Sequence, residues 1–396
     1  MKSLVYLFKR TIKRRNFITR VLSIGLYIIN IPQKIKYPSR IKNIIVIHNN
    51  YLGDTVFFSP VYRNLRLFFP EARIVSLCES GYSRLLSADE NIDEVITYPD
   101  FFKKEPSSRM AAFREKLNFL IELRKERFQV IIDLYGSGFA IALGFFHLFK
   151  AYRIEIFLPA LLDTIKSYIL ILKGYTAREY KRPHAVLWNL QRLESLGIEI
   201  TTNDVSLPVK SEWIESLHKK YPEIGALAGE YFIICPGATW LERQWSVDKF
   251  AAVAENLSKA TGLCPIICGG KSEYELCQRV SQSISVKSIS LAGAISMVEF
   301  VALVSGARLL VGNDSGPVHV ATGVKTPVVA IMGTANIEMY KPWGKDVRIC
   351  YREVTCGPCY AGKCYMPENI CVQPVTVDEV LTAALDLLKI PKSVGQ

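Results

Sequence analysis

The 396-residue sequence has no apolar run long enough to cross a bilayer and no acidic residue before Asp54. A membrane-spanning helix needs roughly 18–20 consecutive apolar residues, whereas the longest candidates, residues 21–32 and 139–149, have 12 and 11. Basic residues precede the first of these runs, as in a signal peptide, but no small-residue cleavage site follows it. We therefore expect a cytoplasmic protein that is not secreted.

Charge is distributed unevenly along the chain, which carries a formal net charge of +12. Residues 1–53 contain 11 Lys and Arg and no acid, whereas the other 343 residues contain 38 bases and 37 acids. A uniformly basic nucleic-acid-binding protein is excluded by this near balance, and we expect no nucleic-acid partner. The sequence predicts a neutral globular body with a basic N-terminal arm over residues 1–41.

Three common nucleotide-binding signatures are missing. No GxGxxG follows the first strand-like segment, which disfavours a nicotinamide enzyme, and no GxxxxGK[ST] occurs, which excludes a standard P-loop NTPase. The chain also has no DxD pair of the kind that holds a metal-bound diphosphate. A diphosphate leaving group would have to be neutralised by side-chain cations and backbone amides.

Short apolar segments alternate with amphipathic ones beyond residue 42, and this alternation predicts parallel sheets with helices on both faces. The pattern predicts strands over residues 43–48, 72–78, 95–98, 130–134, 231–235, 265–268, 288–291, 307–311 and 327–331, and helices over 55–69, 107–127, 184–196, 247–261, 273–284, 297–304 and 318–322. A polar stretch around residues 201–222 separates two such series. We therefore expect two doubly wound domains facing a cleft, residues 42–205 and residues 206–396, the second with a Cys-rich loop and a C-terminal helix.

The basic arm shows helical periodicity over residues 1–22, where Leu4, Val5, Phe8 and Ile12 recur at helical spacing and most basic residues fall on other faces. A basic amphipathic helix is typical of an anionic membrane surface. A solvated arm, or a helix packed on the body, would show the same pattern.

Candidate site residues follow the predicted strands, where open α/β sheets bind ligands. In the segment YLGD, Asp54 begins a predicted helix. It is either an ordinary N-cap or a carboxylate placed to take a proton from a bound hydroxyl.

Three later loops have the composition of an anion site. CPGATWLERQW offers backbone amides, the hydroxyl of Thr239 and the cation Arg243, although a plain loop with a surface arginine is the alternative. VGNDSGPVHVA places Asp314, Ser315 or both at the start of a helix, with His319 in its first turn. Because the negative charge of Asp314 is unfavourable next to a diphosphate, we expect Asp314 to hold sugar hydroxyls or to orient His319. MGTAN adds a Gly-Thr pair after the next strand.

Four cysteines lie within 16 residues near the C-terminus: Cys356, Cys359, Cys364 and Cys371. Their spacing permits a tetrahedral structural zinc site, although they lack the paired CxxC…CxxC arrangement. A cluster of reduced or oxidisable thiols in a tight loop is the alternative.

These segments together resemble glycosyltransferase family 9, the ADP-heptose:lipopolysaccharide heptosyltransferases. GDTVFFSP looks like the family's "GD…(S/T)P" segment, and PGATWLERQW looks like its "PGA…(K/R)xW" segment. The most specific match is GNDSGPVHVATGVKTPVVAIMGTAN. The resemblance covers residues 42–388 and leaves out the arm. The chain departs from the family pattern at Arg243, where Lys is common, and around Thr334, which lacks the usual preceding Pro and following Asp.

The resemblance implies a GT-B fold of two Rossmann-like domains, an N-terminal one for the acceptor and a C-terminal one for the nucleotide-sugar. It implies inverting transfer of a heptose or related sugar from an ADP-sugar to a lipopolysaccharide core or similar lipid-linked glycan, with no cofactor and no metal required, on the inner face of the cytoplasmic membrane. Asp54 would be the general base and Arg243 would stabilise the departing diphosphate. The implied donor-binding residues are Gly237, Thr239, Glu273, Asp314, Ser315, Gly316, His319 and Thr334.

Two other functions remain open from the sequence. A sugar-nucleotide epimerase of similar two-lobed fold would turn over donor without an acceptor. A non-catalytic, membrane-docked subunit would bind carbohydrate and release no nucleotide.

Overall fold

The computed structural model describes residues 35, 38–47, 51–99, 109–134, 152–155, 183–333, 336–354 and 370–390. By their internal contacts these residues divide into two compact units. The first contains residues 61–99, 109–134, 152–155 and 189–202 together with the described residues before 48. The second contains residues 51–60 and 183–188 and all described residues from 203 onwards.

The first unit is built on five parallel strands in the order β3-β2-β1-β4-β5. They are β1 (Asn43–Ile47), β2 (Arg73–Cys78), β3 (Glu94–Thr97), β4 (Val130–Asp133) and β5 (Tyr152–Glu155). Ile45 pairs with Val75 on one side and Ile131 on the other. All three side chains are fully buried, as expected for central strands that are covered by helices on both faces.

The second unit is built on six parallel strands in the order β11-β10-β9-β6-β7-β8. They are β6 (Tyr231–Cys235), β7 (Cys264–Ile267), β8 (Ile289–Ser290), β9 (Leu309–Asn313), β10 (Val328–Met332) and β11 (Val347–Tyr351). The chain adds strands on one side of β6 and then returns to add β9 on the other side. The point between β6 and β9 is therefore the topological switch point, where such sheets bind ligands.

Twelve helices accompany the strands in the described ranges. They are α1 (Leu52–Phe68), α2 (Ser80–Leu86), α3 (Arg109–Lys125), α4 (Ala185–Ser195), α5 (Ser211–Lys220), α6 (Pro222–Ala226), α7 (Val247–Thr261), α8 (Tyr274–Gln282), α9 (Met297–Ser305), α10 (Gly316–Gly323), α11 (Ile337–Tyr340) and α12 (Val377–Leu388). The predicted two-sheet α/β architecture and the predicted C-terminal helix are confirmed.

The polar stretch around residues 201–222, where the boundary between the two domains was predicted, contains helix α5 at residues 211–220. Trp213 and Leu217, four residues apart, are its buried positions. Lys220 at its end donates to the carbonyl of Ala294. Three apolar residues in a ten-residue segment that otherwise consists of Ser, Glu, His and Lys are too weak a signal for a sequence-based assignment.

No helix within the described ranges combines the length and the apolar character that a bilayer span requires. The predicted amphipathic helix over residues 1–22 lies outside the described residues. Of the arm, the structure describes only Ile35 and residues 38–41, including a short 3-10 helix at Pro38–Arg40.

Candidate active site

An ion pair lies at the switch point of the second sheet. The Nη1 atom of Arg243, after β6, is 2.9 Å from Oδ2 of Asp314, after β9. The guanidinium of Arg243 also lies 4.2 Å from the ring centroid of Trp240. Two of the three predicted anion-site loops are therefore in direct contact, through Arg243 and Asp314.

The carboxylate of Asp314 is almost completely buried. Burial raises the pKa of Asp314, and the positive charge of Arg243 opposes that rise. The side chain of Asp314 is 5% exposed, whereas that of Arg243 is 23% exposed. Asp314 therefore holds a guanidinium that is still partly exposed to solvent, and an arginine in this state is able to bind an anion.

Asn313, at the end of β9, fixes the loop that carries Arg243. Its Oδ1 atom accepts a hydrogen bond from the backbone N–H of Trp245 at 3.1 Å, and its Nδ2 atom donates to the carbonyl of Pro236 at 2.7 Å. Asn313 is fully buried, so both bonds are made away from water. Neither contact of Asn313 is predictable from the sequence, because nothing in a single sequence shows which backbone groups a side chain will meet.

Glu273 and Gly237 also lie together. The Oε2 atom of Glu273 accepts a hydrogen bond from the backbone N–H of Gly270 at 2.7 Å. A Cβ atom placed on Gly237 would lie 1.9 Å from Oε1 of Glu273. A side chain at position 237 would have to displace the end of the Glu273 side chain, so the loop after β7 lies against the loop after β6.

The remaining predicted residues of these loops are less closely packed. Thr239 is exposed. The hydroxyl of Ser315 donates to the carbonyl of Asn313, so Ser315 stands at the N-cap position of α10 without capping its first turn. A Cβ atom placed on Gly333 would lie 3.8 Å from Cγ of Arg243. The loop after β10 thus approaches the ion pair, although Thr334 itself lies outside the described residues.

Asp54 lies in the first turn of α1, which begins at Leu52. The predicted helix began at Thr55. Because the helix actually begins at Leu52, Asp54 lies inside it, and the alternative of Asp54 as an N-cap is wrong. Asp54 is half-buried and belongs to the second unit, since residues 51–60 pack there. The residue before it, Gly53, lies against the imidazole of His319 on α10.

His319 is buried among other rings. Its centroid is 4.7 Å from that of Phe57, which in turn is 5.2 Å from that of His184. The Nδ1 atom of His319 is buried without a hydrogen-bond partner among the described residues. Burial lowers the pKa of His319 to about 3, with a further contribution from His184. His319 is therefore a neutral imidazole at neutral pH, and the positive charge of the site comes from Arg243.

His184 is a second buried histidine, and no role was predicted for it from the sequence. Its Nδ1 atom accepts from the backbone N–H of Val186, so its Nε2 atom carries the proton and donates to the carbonyl of Lys341 at 2.7 Å. Burial lowers its pKa to about 4. Its ring also lies 4.5 Å from that of Trp343.

The zinc prediction concerns residues of which three, Cys356, Cys359 and Cys364, lie outside the described residues. Cys371 is buried. In the part of the chain that the structure describes, no group of three or more His, Cys, Asp or Glu is arranged to hold a metal ion. The zinc site stays a prediction.

Comparison with known families identifies the chain. The family model described as Glycosyltransferase family 9 (heptosyltransferase) matches residues 119–369. The chain belongs to glycosyltransferase family 9. The protein is therefore a sugar-transferring enzyme, and the family resemblance of its motifs is confirmed.

Relatives of this family match the chain over most of its length. Lipooligosaccharide heptosyltransferase 2 of Campylobacter jejuni subsp. jejuni serotype O:2 is 26% identical over 352 residues, 87% of this chain and 98% of the relative. The solved structure of a family 9 glycosyl transferase from Veillonella parvula has a TM-score of 0.68 at 21% identity, over 88% of this chain and 97% of that one. The Escherichia coli ADP-heptose lps heptosyltransferase II has a TM-score of 0.66 at 17% identity, over 88% and 98%. These structures confirm the expected GT-B fold.

The two buried histidines of this family member predict a pH-dependent stability. Both are neutral in the folded protein, whereas in the unfolded chain they take up protons below about pH 6.5. The unfolded state therefore gains protons as the pH falls from 7 to 5, and the folded state loses stability, by up to about 1.4 kcal/mol per pH unit for each histidine.

His184→Gln retains a donor for Lys341 and removes one titrating group. We expect this variant to lose about 2 kcal/mol less than the wild type between pH 7 and pH 5 in urea unfolding. An equal loss in both proteins would contradict the assignment.

Proposed function

We propose that this glycosyltransferase moves a heptose, with inversion, from ADP-heptose to a lipopolysaccharide core or similar lipid-linked glycan. The names of its relatives support the sugar, the donor and the class of acceptor. The site supports the reaction, because the carboxylate of Asp54 and the partly exposed guanidinium of Arg243 lie within one compact unit. One observation carries the proposal. The turn of α1 that contains Asp54 packs against α10, and the N-terminus of α10 comes two residues after Asp314, the partner of Arg243.

The donor diphosphate is assigned to the exposed edge of Arg243 and the N-terminus of α10. Backbone amides at a helix N-terminus favour anions, and Arg provides charge-assisted hydrogen bonds to phosphate oxygens. Asp314 orients the guanidinium. Glu273 and Gly237 border the nucleoside, and Thr239 and Thr334 complete the diphosphate and sugar contacts.

The acceptor hydroxyl is assigned to Asp54. As the new C–O bond forms, the carboxylate takes the hydroxyl proton, and the C–O bond to ADP breaks on the opposite face of the anomeric carbon, which inverts its configuration. A positioned general base typically contributes about 10²–10⁴-fold in rate. Arg243 and the helix amides stabilise the charge that builds on the departing diphosphate, and this arrangement needs no metal ion.

Asp54→Asn tests the general base. The amide keeps the size of the side chain and cannot accept the proton, so we expect kcat to fall at least about 100-fold while ADP affinity stays within about three-fold. The measurements are ADP release with acceptor present and ADP binding by calorimetry. More than about a tenth of the wild-type kcat in this variant would show that another residue is the base.

Arg243→Gln and Asp314→Asn, singly and together, test the diphosphate assignment. Arg243→Gln removes the cation and leaves a buried carboxylate unpaired, so we expect about 10–100-fold weaker ADP binding and a lower melting temperature. In the double variant both charges are gone, so the melting temperature should recover while the ADP affinity should not. Arg308→Ala, which breaks an exposed pair with Glu230, is the control. ADP affinity that recovers with stability would place the diphosphate elsewhere.

The basic arm is assigned to an anionic membrane surface that carries the acceptor, on the cytoplasmic side. This assignment rests on the 11 uncompensated Lys and Arg of residues 1–53, each worth about 1 kcal/mol near anionic lipid. Deleting residues 1–34 should reduce binding to liposomes that contain anionic lipid and spare activity on a soluble acceptor. Unchanged liposome binding would show that the arm has another role.

A further inference from the structure

The first turn of α1 and helix α10 approach each other through glycines. A Cβ atom placed on Gly53 would lie 2.8 Å from Cδ2 and 3.4 Å from Cγ and Nε2 of His319. A Cβ atom placed on Gly316 would lie 2.9 Å from Cβ of Leu52. Carbon atoms that are not bonded to each other pack at about 3.5–4.0 Å. A side chain at either position therefore requires a shift, of the His319 ring or of α1 at Gly53 and of Leu52 at Gly316.

The imidazole of His319 is 6% exposed, and it belongs to α10, in which residues 318–323 are all buried. Phe57, four residues after Gly53 and so on the same face of α1, is 2% exposed and packs edge-on against that imidazole. His184 packs against the far side of Phe57 and is held by two hydrogen bonds to backbone atoms. Because the ring and its helix are enclosed, we expect an added methyl group at position 53 to push α1 away from α10.

Asp54 is the next residue, so a shift of α1 at Gly53 moves its carboxylate. We propose that Gly53 is a positioning residue, whose bare backbone against His319 sets the distance between the Asp54 carboxylate and the donor site at the start of α10. The proposal rests on the proposed function, in which Asp54 takes the acceptor proton. It adds that base and donor site are held together inside one compact unit by a contact that admits no side chain.

Gly53→Ala tests the proposal, and the chain offers a matched control. Gly81 is likewise the second residue of a helix, Ser80–Leu86, but a Cβ atom there has nothing within 4 Å. Misplacing a catalytic group by about 1 Å costs about 100-fold in rate. We expect Gly53→Ala to lower kcat at least about 30-fold with KM for the donor and the ADP affinity within about three-fold. Gly81→Ala should match the wild type in kcat.

A double-mutant cycle with His319→Ala separates positioning from a general folding defect. The three atoms nearest the added Cβ all belong to the His319 ring, so removing the ring makes room for the methyl group. Adding Gly53→Ala to His319→Ala should then cost less than about three-fold in kcat, measured by single-turnover ADP release. When Gly53→Ala alone fails to fold, a double variant that folds and stays within about three-fold of His319→Ala in kcat supports the contact, and one that is about 30-fold slower overturns it.

Two outcomes overturn the proposal. Gly53→Ala that keeps more than half of the wild-type kcat shows that α1 is not held by this contact. An equal cost of Gly53→Ala in the wild-type and His319→Ala backgrounds shows that the effect does not pass through the ring. Asp54→Asn distinguishes this failure from that of the proposed function. An active Asp54→Asn overturns the base itself, whereas an inactive Asp54→Asn beside an active Gly53→Ala overturns only the positioning.

Discussion

Parallel strands bring all their carboxyl ends to one edge of a sheet, and the candidate donor site depends on this constraint. Residues that are 71 positions apart in the chain, Arg243 and Asp314, form a hydrogen-bonded ion pair because β6 and β9 are neighbours in the six-stranded sheet. The loops after β7 and β10 join the same edge through Glu273 and Gly333. The strand order, more than any single motif, assembles the site.

Burial then decides the charge that each side chain of this site carries. Asp314 is paired with Arg243 because an isolated carboxylate at that depth would be strongly disfavoured. His319 has no such ion pair among the described residues, and its burial keeps it neutral. The result is a site whose positive charge is concentrated on one partly exposed guanidinium, backed by Trp240. A single oriented cation with helix amides beside it suits a phosphate group better than a diffuse basic surface does.

Much of the fold was predictable from local patterns, because each strand is a short apolar run bounded by Gly, Pro or polar residues. The predicted ranges of β6 and α7 agree with the structure at both ends. The prediction was less accurate for segments with a less regular pattern. Helix α5 presents only Trp213 and Leu217 to the core, and α1 begins three residues earlier than its pattern suggested. The candidate site residues Asp54, Arg243, Asp314 and His319 were proposed from the motifs and the family resemblance, whereas the contacts of Asn313, Phe57 and His184 are visible only in the structure.

The sequence by itself determined the class of fold, the family, the uneven charge and the residues able to carry the chemistry, since these follow from composition, periodicity and the order of motifs along the chain. The tertiary structure decided which of those residues meet. It paired Asp314 with Arg243, left Nδ1 of His319 without a partner among the described residues, and packed the Asp54-bearing turn of α1 against α10. Such contacts join residues far apart in sequence, and their energies depend on burial and on distances of a few ångströms, neither of which a linear pattern contains.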